Sequence, residues 1–257
     1  MMRLPRFSAN IGFLWKELSF PDRLRAAAAA GFDAVEFHDE AQSSDLGQIS
    51  DILAETGLPV CGLNVRMGET AGCAAISGHE TRARRDVDAA LKTAQALRAK
   101  AVHVLAGRTG ADGDRAAYIK VLRHALDNGD RMILIEPICR AAIDDYFLHD
   151  IGMAAEIVQE IGSPRLKIMF DCFHVEMETG PAGAMFQKYA NHVGHVQIAS
   201  VPGRNEPGVE DRLDLPLLLR QMQAAGYVGA FGCEYRPRTS VESGLGWRES
   251  FRGAWNA

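Results

Sequence analysis

The sequence predicts an α/β fold of one architecture, a closed (β/α)8 TIM barrel, and three observations carry the prediction. Short β-type runs alternate with helical patterns along all 257 residues, the arrangement that builds a parallel sheet. The length matches the roughly 250 residues of one such barrel. Four oxygen-bearing side chains, Glu136, Asp171, Gln197 and Glu234, close four consecutive strand patterns and lie 35, 26 and 37 residues apart. One strand, its helix and two short loops need roughly 30 residues, so these side chains recur once per βα unit. No linker or composition break interrupts residues 1–257, and a single domain is expected. An open doubly wound sheet fits less well, because no glycine-rich phosphate fingerprint follows the first strand.

The first strand is expected at 7–11. The first helix starts near Ser19-Phe20-Pro21-Asp22, a capping signal, and runs through the alanines to Gly31. The second strand covers 34–37 and its helix about 45–55, and Thr56-Gly57-Leu58-Pro59 turns the chain into a third strand at 60–63. A longer loop, 64–78, leads to a helix at about 80–98 and a fourth strand at 101–105. A glycine-bearing loop at 106–110 precedes a helix at about 114–127, and the fifth strand, 132–135, ends in Glu136-Pro137. A helix at about 150–161 stops at Gly162-Ser163-Pro164 before the sixth strand, 166–170. A helix at about 182–190, a strand at 193–198, a helix at about 214–225, a strand at 230–233 and a last helix near 241–252 complete the eight units.

Composition narrows the function classes. A hydrophobic content of 47% supports a sizeable core. The formal net charge is −5, with no long basic run, so nucleic acid is not expected as a partner. No stretch approaches the roughly 20 apolar residues of a membrane span. The opening MMRLPRFSAN lacks the apolar run of a secretory leader. The five scattered cysteines contain no CxxC pair and read as reduced thiols of a cytoplasmic protein. The sequence does not fix an oligomeric state, and a homo-oligomer stays open.

In a closed parallel barrel the carboxyl ends of the strands converge on one face, where active sites form. Glu136, Asp171, Gln197 and Glu234 would meet there, and three carboxylates aimed at one point repel each other without a cation. A single strand-end glutamate is more often just held by a neighbouring loop; four at successive strand ends point to a divalent metal. The all-oxygen set suits Mg²⁺ or Mn²⁺ better than Zn²⁺. Neighbouring residues of a strand face opposite ways, so Cys172 and Cys233 are expected in the core. His174 either lines the pocket or orients a carboxylate. His195 shares the parity of Gln197 and reads as a satisfied core histidine, while His103 is open between core and site. Glu36 and His38 end the second strand and Asn64 the third, and all three are expected at the mouth as substrate contacts. Arg204, in the loop after the seventh strand, is either a surface arginine or a holder of carboxylate or phosphate. An α-hydroxy carbonyl compound chelating the ion through both oxygens would have its intervening C–H acidified. Carboxylates on opposite sides of it then suit aldose–ketose isomerisation or epimerisation by proton transfer through an enediolate.

Several segments resemble the hydroxypyruvate isomerase family of the xylose isomerase-like TIM barrels. They are residues 195–208 around His195-Val196-Gln197, then Ile135-Glu136-Pro137-Ile138, Phe170-Asp171-Cys172-Phe173-His174, Gly232-Cys233-Glu234-Tyr235-Arg236-Pro237 and Gly244-Leu245-Gly246-Trp247. Upstream, Phe7-Ser8-Ala9-Asn10 and residues 30–36 also match. The resemblance implies an isomerase of short hydroxy-oxo acids, such as hydroxypyruvate or 2-oxo-tetronates. Glu136 and Glu234 would be its proton-transferring pair, and Glu136, Asp171, Gln197 and Glu234 its metal position. The chain departs from the pattern at Cys139, where the family usually has Asn. It also departs at 140–148, which lacks the usual Pro-Gly, at Glu210-Asp211 in place of Gly-Glu, and at Asp39-Glu40-Ala41-Gln42 in place of an aromatic-proline segment. A sugar or inositol epimerase or dehydratase on the same barrel, and a non-catalytic metabolite-binding barrel, are the competing readings. An endonuclease on a related barrel would need more histidine ligands and a basic surface.

Overall fold

A computed structural model describes residues 4–208, 211–249 and 251. Among them, eight parallel strands close in sequence order: β1 (Phe7–Asn10), β2 (Ala34–Phe37), β3 (Val60–Asn64), β4 (Ala101–His103), β5 (Met132–Ile135), β6 (Leu166–Asp171), β7 (Val193–Ile198) and β8 (Phe231–Cys233). The ring closes where β8 pairs with β1, Ser8 lying opposite Gly232. The helices are α1 (Phe20–Ala29), α2 (Leu46–Thr56), α3 (Glu80–Ala96), α4 (Arg115–Asn128), α5 (Ile151–Ile161), α6 (Cys172–Glu178), α7 (Ala182–Tyr189), α8 (Leu215–Ala224) and α9 (Val241–Gly244). No helix of the described residues is long and apolar enough to cross a membrane.

Local chemistry sets the helix ends. Asp45, Asp114, Asp150 and Asp214 each accept first-turn backbone N–H groups of α2, α4, α5 and α8, satisfying donors that a helix leaves unpaired. Gly57 and Gly162 end α2 and α5 in the left-handed conformation that glycine adopts without steric cost.

Period-two alternation divides the strands. Val35, Ile133, Phe170, Val196 and Cys233 point outward into the shared helix–sheet core, and Cys172 joins them there. Toward the barrel axis, Ala34, Cys61 and Ala230 form one small apolar group, and Ala101, Leu134 and Met169 another. All but Cys61 share strand parity with the polar side chains nearer the mouth.

Several bounds differ from the sequence expectation, β1 ending at Asn10 and α3 at Ala96 among them. β4 stops at His103 instead of 105, because the chain there turns to meet the long loop after β3: Gly72 bridges Ala106 and Ala74 N–H donates to Leu105 O at 3.4 Å. Gly72 has a φ of +82°, and a Cβ there would overlap the Leu105 backbone. A short helix, α6, follows β6 at once, because the Asp171 carboxylate caps it by accepting the Phe173 N–H at 2.8 Å. The last helix, expected to reach 252, is described as α9 and further helical residues at 247–249 and 251. Residue 252 lies outside the described residues, as does Glu210.

Phe170 is fully buried and meets the Phe186 ring edge-on at a centroid distance of 5.4 Å. Phe170→Ala is expected to lower the free energy of unfolding in urea by about 3–5 kcal/mol. A change below about 1 kcal/mol would contradict this packing.

Candidate active site

The registers of β6, β7 and β8 set Asp171 beside Gln197 and Gln197 beside Gly232. Glu136 follows β5 and Glu234 follows β8, so the four strand ends bring Glu136, Asp171, Gln197 and Glu234 to one side of the barrel. All four are buried, Asp171 completely. Burial, reinforced by the charges of Glu234 and Asp171, pushes the Glu136 carboxyl well above its ordinary value. Burial also raises Asp171, to about 6, with Arg204 opposing the rise and Glu234 adding to it.

Three acceptor oxygens of this group have no hydrogen-bond partner: Glu136 Oε1, Gln197 Oε1 and Glu234 Oε2. Buried acceptors without donors are costly, and hard oxygen atoms lacking protons are what a Mg²⁺- or Mn²⁺-type cation binds. The donor set therefore fits such an ion. His174 lies beside it, its Nε2 3.5 Å from Asp171 Oδ2 and 3.8 Å from Glu136 Oε1, and one polar atom of each of these three residues lies within 4.8 Å of the others. His174 Nδ1 accepts the Cys139 backbone N–H at 3.3 Å and touches Cys139 Sγ at 3.2 Å. Burial, with Arg204 nearby, holds the His174 ring well below its ordinary pKa. A neutral ring accepting at Nδ1 carries its proton on Nε2, so it faces the carboxylates as a donor.

Arg204 reaches into the same group. Its backbone φ is +53°, and its guanidinium lies between the Phe13 and Phe173 rings, 5.0 and 5.2 Å from their centroids. Nη2 is 3.1 Å from Asp171 Oδ2 and 3.3 Å from Glu234 Oε1. Arg204 thus offsets one of the three carboxylate charges, and its buried Nε has no partner.

Glu36 sits on the axial side of β2, 4% exposed. Its Oε2 accepts from Ser8 Oγ at 2.5 Å and from His195 Nε2 at 2.8 Å, and its Oε1 accepts from Gln197 Nε2 at 2.8 Å. Burial would raise its pKa, but His195, Ser8 and Gln197 together hold it below the ordinary value. The expected placement of Glu36 as a substrate contact gives way to a buried position with both oxygens engaged. His195 is satisfied within the same network. His38 does reach the group's edge, its Nε2 3.9 Å from Glu234 Oε1; burial opposes its protonation, but Glu234 outweighs this and raises its pKa. Asn64 Oδ1 is 3.2 Å from His103 Nδ1, which in turn lies 3.7 Å from Glu136 Oε2. Burial, and then the charges of His38 and His195, hold His103 down to about 3, so it faces Glu136 as a neutral ring.

Ser8, Gly232 and the two rings around Arg204 were not singled out from the sequence. Strand parity carried a signal for the first two: Ser8 shares the parity of Asn10, and Gly232 that of Glu234. At His38, on the edge of the group, a cavity of about 450 Å³ opens between Phe13, Lys16, His38, Met67, Arg236 and Pro237. Lys16 and Arg236 are exposed there.

Comparison with known proteins agrees with the closed barrel. The model of the xylose isomerase-like TIM barrel family matches residues 24–254. A 2-oxo-tetronate isomerase of Cupriavidus necator is 36% identical over 97% of this chain and 100% of its own length. The hydroxypyruvate isomerase of Escherichia coli K12 is 33% identical over 96% of this chain and 99% of its own. A crystal structure from Brucella melitensis, described as an AP endonuclease of family 2, superposes with a TM-score of 0.90 at 33% identity, covering 96% of this chain and 98% of that one. The chain belongs to the xylose isomerase-like TIM barrel family and, within it, to the hydroxypyruvate isomerase family of isomerising enzymes.

Proposed function

We propose that this enzyme is a Mg²⁺- or Mn²⁺-dependent isomerase that moves a carbonyl between adjacent carbons of a three- or four-carbon hydroxy-oxo acid. The observation that carries the reading is the group of unpartnered, buried acceptor oxygens on Glu136, Gln197 and Glu234, beside fully buried Asp171. Those four residues would hold the ion. When bound, it would polarise the substrate's carbonyl and hydroxyl oxygens and acidify the C–H between them. The names of the relatives, hydroxypyruvate isomerase and 2-oxo-tetronate isomerase, support the size and class of the substrate. Likeness to sugar 3-epimerases, such as one from Methylomonas sp. at 18% identity, extends to the fold alone.

The chain's own groups divide the remaining work. Glu136 and Glu234 are the proton-transferring pair: one takes the carbon-bound proton and the other side redelivers one to the neighbouring carbon. His174 presents Nε2–H to the carboxylate group and can donate to a substrate oxygen as negative charge builds there. Arg204 restrains Asp171 and Glu234 and keeps its Nε–H for the substrate's carboxylate. Lys16 and Arg236, at the cavity entrance, draw an anionic substrate toward the mouth. The chain has no phosphate-cradling glycine loop, which favours a free acid over a sugar phosphate. The endonuclease description of the Brucella structure does not extend to this reading, since the donor set is carboxylate and amide and the net charge is −5.

Glu136→Gln and Glu234→Gln keep the side-chain shape and remove the base. Each is expected to lower turnover by about 10²- to 10⁴-fold, with an unchanged circular dichroism spectrum. A loss below tenfold in both would contradict the pair. Exhaustive chelation should abolish activity and Mg²⁺ or Mn²⁺ should restore it; undiminished activity after metal removal would contradict the cation.

Proton transfer through an exchangeable carboxylate predicts solvent deuterium in the product. Hydroxypyruvate and 2-oxo-tetronates incubated with the enzyme in D₂O should yield product labelled at the carbon that gains hydrogen, read by NMR. Turnover without label would point to a shielded proton or a hydride shift. No turnover on any of these acids would sink the substrate class.

A further inference from the structure

We infer that Glu36 is a positioning residue that fixes which end of the Gln197 amide faces the metal position, and that Gly232 is the gap that lets it do so. The inference rests on the metal reading proposed above and assigns it a residue outside the four ligands. A glutamine is an ambiguous ligand. Its two ends are nearly the same shape, but only the carbonyl oxygen can bind a cation, and the NH₂ end repels one. The amide has to be held from behind. Glu36 Oε1 accepts from Gln197 Nε2 at 2.8 Å, and an ionised carboxylate can only accept, so the nitrogen must face Glu36. Gln197 Oε1 is then the end left buried without a partner.

Glu36 is itself held. Ser8 Oγ at 2.5 Å and His195 Nε2 at 2.8 Å both engage its other oxygen, Oε2. The carboxylate reaches these partners from β2 by crossing the barrel interior over β8. There, Gly232 pairs with Ser8 on one side and Gln197 on the other. A Cβ on Gly232 would overlap both Glu36 oxygens. Any other residue at that point would displace the carboxylate from Gln197. Side chains that orient a metal ligand from outside the coordination sphere typically change affinity by about 10- to 100-fold when removed.

The test is Mn²⁺ binding by the chelator-treated full chain, followed by isothermal titration calorimetry. Glu36→Leu is expected to weaken binding by about 10- to 100-fold. Glu36→Gln keeps a carbonyl that can accept from Gln197, and should rescue most of that loss. In a Gln197→Ala background, Glu36→Leu should change affinity by less than about twofold, because Glu36 would have nothing left to orient. Gly232→Ala retains every charge and should still weaken binding by about tenfold or more. Should Glu36→Leu fail to fold, Glu36→Gln and Gly232→Ala carry the test, with thermal unfolding as the check on folding. An equal loss from Glu36→Leu with and without Gln197 would overturn the inference, since Glu36 would then act by charge alone. Wild-type affinity in Gly232→Ala would overturn it as well. If the wild type bound Mn²⁺ and these variants matched it, only this inference would fall. No Mn²⁺ binding by the wild type would overturn the metal reading and this inference together.

Discussion

Three carboxylates, Glu136, Asp171 and Glu234, are buried together at one end of this barrel, and their mutual repulsion is the constraint on which the surrounding structure depends. Burial alone makes each anion costly, and proximity adds to the cost, as the raised pKa of Glu136 shows. The neighbouring groups answer that charge in different ways. Arg204 lies against two of the carboxylates, held between two aromatic rings. His174 turns a proton toward them because a backbone N–H occupies its other nitrogen. Gln197 adds a neutral oxygen where a fourth charge would be harder to bear.

A second layer supports the first. Glu36, Ser8 and His195 form a hydrogen-bonded set behind the acidic group, and Gln197 joins the two. Below them the barrel axis is lined by small apolar groups around Ala34 and Ala101. The interior therefore runs from an apolar floor, through a satisfied polar layer, to an under-satisfied acidic mouth. Buried groups lacking partners mark the place where a protein expects a ligand, while satisfied ones mark framework.

The strand ends were legible in the sequence because each βα unit contributes one of them at nearly constant spacing, and alternation parity sorted Cys172 and Cys233 from their acidic neighbours. Depth along the axis was not legible. Glu36 on β2 and His38 just past its end have the same parity, yet one is enclosed by Ser8, His195 and Gln197 while the other reaches the mouth; cross-barrel partners decide this, and they lie more than 150 residues away for β7. The direction of Arg204 depends on one left-handed backbone angle in its loop. The helix after β6 escaped notice because the residue that caps it, Asp171, is also a strand-end acid. The early end of β4 depends on a loop pairing that no local pattern reveals.

The central claim is that Glu136, Asp171, Gln197 and Glu234 hold one divalent cation through oxygen. Its most direct test is a crystal grown with Mn²⁺ and measured for anomalous scattering at the manganese edge. A single peak about 2.1 Å from an oxygen of each of the four side chains, with the Gln197 nitrogen still on Glu36, is the predicted result. A peak elsewhere, or none at this position with the ion in excess, would contradict it.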